Sequence, residues 1–108
     1  MAYDEGLAQI FRDDLSDLPL VQKRMFGGLC FLVNGNMVAG VYSGGGMYRV
    51  ANADRAAALS VPGAEEIRMG ARVMGGMVGL PPGAMADDAA RSRLMALALA
   101  HVRTLPPK

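Results

Sequence analysis

The chain has 108 residues, a net charge of +1 from 11 Lys plus Arg against 10 Asp plus Glu, and 52% hydrophobic residues. That length fits one domain, here taken as residues 1–108, and supports a core without metal or disulfide help. The composition excludes wholesale disorder. The near-neutral charge argues against direct nucleic-acid binding, which calls for a basic excess or stripe. The apolar runs fall short of the roughly 20 residues of a membrane helix, and the N-terminus Met1-Ala2-Tyr3-Asp4-Glu5 lacks an apolar signal core. Cys30 is the single cysteine, so an internal disulfide is impossible and a cytoplasmic location is the simplest expectation.

Leu7, Ile10, Phe11, Leu15 and Leu18 recur at helical spacing, predicting a first helix over about Asp4 to Leu15 with Pro19 beyond its end. Val21 to Met25 reads as a strand leading into Gly27-Gly28, where the chain bends or bulges. Asn34-Gly35 between two apolar runs predicts a hairpin with a two-residue turn. That turn pairs Val33 with Asn36, Leu32 with Met37, Phe31 with Val38 and Cys30 with Ala39. It sorts Leu29, Phe31, Val33 and Val38 onto one face, and Cys30, Leu32, Met37, Ala39 and Val41 onto the other. Both faces are apolar, unlike a sheet with one side in water. Either helices lie on one side and a partner on the other, or the second side is partly exposed.

Ser43-Gly44-Gly45-Gly46 reads as a turn, and Met47 to Val50 as a fourth strand. Asn52 is expected to cap a short helix over Ala53 to Leu59 that ends at Pro62-Gly63. Strands follow at about Glu65 to Met69 and Arg72 to Leu80, then a break at Pro81-Pro82-Gly83. The last helix runs from about Ala84 or Asp87 to Thr104, with Ala90, Leu94, Leu97, Ala98, Val102 and Leu105 as its apolar stripe.

Few residues invite chemistry. His101 sits near the apolar stripe with no orienting acid assignable, so it reads as a packed or edge histidine. Cys30, inside an apolar strand, reads as a small hydrophobe. The nine methionines suggest adaptable core filler or partner contact rather than a Cu(I) site. The glycine pairs lack the strand–turn–helix setting of a phosphate loop. The neighbouring carboxylates at Asp13-Asp14, Glu65-Glu66 and Asp87-Asp88 do not share a face. No cofactor or metal is therefore expected. Arg24, Arg49 and Arg72 each border a strand. They read either as solvated edge charges or as a trio gripping a small anionic ligand.

Arg24-Met25-Phe26-Gly27-Gly28, leading into Leu29-Cys30-Phe31-Leu32-Val33, resembles the signature of the TfoX/Sxy N-terminal domain family. The founding members of that family regulate bacterial DNA uptake. Met47-Tyr48-Arg49-Val50, Asp54 to Leu59, Pro62-Gly63-Ala64, the cluster of Arg72, Met74 and Gly76, and the ending Thr104 to Lys108 extend the resemblance over nearly the whole chain. Gly75 and Met77 depart from it, standing where many relatives carry a basic residue and a Trp. The resemblance implies a two-layer α/β (α+β) sandwich similar to the secretion-chaperone-like fold: a mainly antiparallel sheet with N- and C-terminal helices. It also implies a regulatory or protein-interaction module, expected here as a homodimer, with Arg24, Met25, Phe26, Gly27, Gly28, Arg49 and Arg72 as binding residues. The alternative is a small anionic-ligand-binding domain, or an unassigned enzyme, using the three arginines.

Overall fold

The structure is a computed structural model that describes residues 3–25 and 27–107. In chain order it comprises α1 (Glu5–Asp14), β1 (Leu20–Met25), β2 (Gly28–Val33), β3 (Asn36–Tyr42) and β4 (Gly45–Arg49). A 3-10 turn (Asn52–Asp54) then leads into α2 (Arg55–Leu59), β5 (Glu65–Met69) and β6 (Arg72–Leu80). A second 3-10 turn (Ala84–Ala86) precedes α3 (Asp88–Val102). The strands form one antiparallel sheet in the order β1-β2-β3-β4-β6-β5. With the helices on one side of it, the fold is the expected α+β sandwich.

The helices begin where carboxylates can satisfy their free N–H groups. Asp4 accepts from the Gly6 amide at 2.7 Å. Asp87 accepts from Ala89 and Ala90 at 3.0 and 3.3 Å. Asn52 does not cap as expected: no side chain caps either the 3-10 turn or α2, and α2 starts at Arg55 rather than Ala53. Tertiary contacts hold this helix instead. The Arg55 guanidinium donates to the Gly75 carbonyl at 2.7 Å and to Glu66 at 3.2 Å, tying α2 to β6 and β5.

Asn34 (φ 53°) and Gly35 (φ 82°) both adopt positive φ, the condition for a primed two-residue turn that matches strand twist. Val33 faces Asn36 and Leu32 faces Met37, as the turn dictates. The register then shifts between Phe31 and Leu32, so Phe31 faces Ala39 and not Val38. The shift is a β-bulge: one extra residue on β3 reverses the alternation beyond it. Ala39 and Val41 therefore join Leu29, Phe31 and Val38 under the helices, not Cys30, Leu32 and Met37 as first expected. Because both faces are apolar, alternation in the sequence could not reveal the slip.

The sheet separates two cores. On the helix side, Leu7, Phe11 and Leu15 of α1, Ala58 of α2, and Ala90, Leu94, Ala98 and Val102 of α3 pack on Phe31, Val38, Tyr48, Val78 and Leu80. The Phe11 ring lies 5.6 Å from Phe31 and 5.3 Å from Tyr48, centroid to centroid, within the range of favourable aromatic pairing. Arg91 joins α3 to α1 through Asp14 at 3.1 Å and donates to the Met85 carbonyl at 2.7 Å. On the other side Cys30, Met37, Met47, Ile67 and Met77 form a second core built from strand residues alone.

Candidate functional site

The second core is buried although no helix covers it. Two glycines explain part of this. A Cβ at Gly40 would lie 2.8 Å from Met47 Cε, and one at Gly79 would lie 3.1 Å from Ile67 Cγ1. With those side chains missing, Met47 and Ile67 lie down along the sheet and shield the strands beneath. Cys30 is fully enclosed, and burial pushes its thiol pKa above the usual value, the setting of an unreactive cysteine.

The same face holds a concavity of about 350 Å³. Met25, Met37, Met47, Met74 and Met77 line it, from four different strands. Leu32 and Ile67 complete its apolar wall, and backbone is bare at Gly35 and Gly76. Arg49 is the one charged residue in the lining, and Tyr42 brings the one other polar side chain. Burial first, and the Glu65 carboxylate second, push the Tyr42 hydroxyl pKa upward. Tyr42 and Glu65 both crowd the space over Gly79, whereas Arg49 stands opposite Met77 across the β4–β6 pair. Glu65 lies beside Tyr42 and outside the lining of the concavity.

Arg49 is half-buried, as are Arg12, Arg55 and Arg91. Those three are ion-paired, with Glu5, with Glu66, and with Asp14 and Asp88. Among the described residues, Arg49 alone of the four has no such partner. A partly buried charge without a counter-ion carries a desolvation cost, so this exception calls for an explanation.

The other predicted site residues lie elsewhere. Arg24 is exposed on the edge strand β1, opposite Leu29. Arg72 is exposed at the start of β6, opposite Met69. Three strands separate β1 from β6, which at about 4.8 Å per step places their backbones roughly 19 Å apart along the sheet. Among the described residues the concavity takes in Met25 and Arg49, and not Arg24, Gly27, Gly28 or Arg72. Gly27 (φ 71°) and Gly28 serve the turn between β1 and β2. Phe26 lies outside the described residues. Sequence reasoning missed Met37, Met47, Tyr42 and Ile67 as neighbours, because their shared face depends on the bulge in β3 and on the non-sequential β4–β6 pairing.

A wider groove of about 530 Å³ runs beside α3, past Asp14, Asp88, Arg91 and Leu99. Its charges are already engaged with one another, since Arg91 meets Asp14 at 3.1 Å and Asp88 at 2.7 Å. They serve the packing of α1 on α3. Among the described residues no group of three or more His, Cys, Asp or Glu side chains is placed to hold a metal ion. No helix among them is long and apolar enough to cross a membrane.

Fold and site together define a small α+β domain with one helix-covered sheet face and one uncovered, methionine-lined face. The chain belongs to the TfoX N-terminal domain family: the model of that family matches residues 13–102, from the end of α1 to the end of α3. Neither a curated protein nor a solved structure matches the chain.

Proposed function

We propose that this chain is a non-catalytic regulatory module that works by protein contact, as a cytoplasmic homodimer, through the uncovered face of its sheet. One observation carries this reading: among the described residues all three helices pack into a single core, and no described helix lies over the opposite, methionine-lined face. The core residues of that face are 0–9% exposed, but Val21, which pairs with Leu32 beside them, is 60% exposed, and apolar surface left in water forgoes roughly 25 cal/mol per Å² of burial. A two-fold pairing of like faces is the commonest arrangement that covers it. Family membership supports a competence-regulator-like role. A net charge of +1 supports contact with protein over direct contact with DNA.

Sedimentation equilibrium at micromolar concentration tests this, with and without duplex DNA at physiological ionic strength. The expected result is a dimer whose mass does not change with DNA. A monomer throughout the range would overturn the homodimer. A DNA complex that dissolves as salt is raised would overturn the exclusion of nucleic acid.

A further inference from the structure

The uncovered face is not flat, and its depression has a chemistry of its own. At about 350 Å³ it has room for roughly a dozen waters at about 30 Å³ each. That is far more than a single ion needs, and the Arg49 cation would repel Cu(I) despite the five thioethers. The wall is apolar and deformable, since methionine side chains re-pack around irregular shapes. Arg49 presents a guanidinium that no described carboxylate engages, whereas the three other half-buried arginines are all paired. One cation balances one negative charge, and the planar guanidinium fork matches a carboxylate bidentately.

Resting on the reading of this face as the binding face, we propose that the concavity between Met37, Met47, Met74 and Met77 is a site for a small amphipathic monocarboxylate. Its apolar body of about a dozen non-hydrogen atoms packs on the thioethers, and its carboxylate pairs with Arg49. A ligand seated there fills the depression and neutralises the one charge in it, so it completes the apolar surface that a second protein would meet.

The test is a titration of the full chain, labelled at the methionine methyl carbons, with octanoate and, separately, with octan-1-ol. Octanoate is expected to shift the methyl resonances of Met25, Met37, Met47, Met74 and Met77, and to leave Met85 and Met95, which sit in the helix-side core. It should bind at least tenfold more tightly than the alcohol. Arg49→Met should erase that preference, and Arg49→Lys, keeping the charge without the fork, should retain part of it. Native positions of the Met85 and Met95 methyl resonances, in the helix-side core, show that the variants are folded. The inference is overturned if millimolar octanoate leaves the five methyls in place. It is equally overturned if acid and alcohol bind alike, or if Met85 and Met95 shift with the rest. A dimer that ignores octanoate overturns this inference alone; a monomer that binds octanoate overturns only the homodimer.

Discussion

Asn34 and Gly35 set the geometry of the central hairpin, and their positive φ values were implied by residue type alone. Gly35→Val forces a β-branched side chain into that region. It is predicted to cost about 1–3 kcal/mol, read as a lowered midpoint in chemical denaturation with an unchanged slope. Cys30 makes a prediction about pH. Burial raises its pKa in the folded chain above the ordinary 9.0, and burial likewise raises that of Tyr48. The unfolded chain therefore loses these protons first as pH rises, and stability falls once pH passes the unfolded values. Stability should hold between pH 7 and about 8.5 and then decline, by up to about 1.4 kcal/mol per pH unit for each group ionised only in the unfolded state. Cys30→Ala should remove the first part of that decline in denaturation curves taken across the range. An identical pH profile for the variant would contradict the assignment.

The elements follow from local patterns almost throughout. The apolar spacing in α1 and α3, the turn at Asn34-Gly35 and the break at Pro81-Pro82 sit where the residues place them. Two features depend on distant neighbours instead. The bulge on β3 leaves both Val38 and Ala39 in the helix-side core, and Arg55, at the start of α2, reaches the Gly75 carbonyl and Glu66. The chain end is fixed the same way. Asn36, 2% exposed, donates from Nδ2 to the Pro106 carbonyl at 2.9 Å. It is the one buried polar residue among those described. Asn36→Ala is predicted to cost about 1 kcal/mol through that lost bond and to release the segment after α3. Hydrogen exchange at the Leu105 amide, which donates to Val102, should quicken more than exchange within α3. Equal rates in wild type and variant would show that the contact does not hold the tail.

For the whole molecule, the asymmetry of the sheet is the central feature. That both faces of the hairpin are apolar was legible from its sequence; that the face away from the helices buries its own core side chains was not. Nor was the concavity. Met37 and Met47 come together only through a shifted register, Ile67 and Met77 on the β5–β6 pair join them only through the non-sequential β4–β6 pairing, and Arg49 stands out only once the partners of the other arginines are known. The signature around Arg24 to Gly28 drew attention to a turn, whereas the enclosed surface lies on the strands beyond it. The most direct test of the uncovered face as the contact surface is a dilution series without ligand, followed through the methionine methyl resonances. Met25, Met37, Met47, Met74 and Met77 are expected to shift together as the protein is diluted through its dissociation range, while Met85 and Met95 stay fixed. Concentration-dependent shifts confined to Met85 and Met95, or none at all in a chain that sediments as a dimer, would place the contact elsewhere and contradict that expectation.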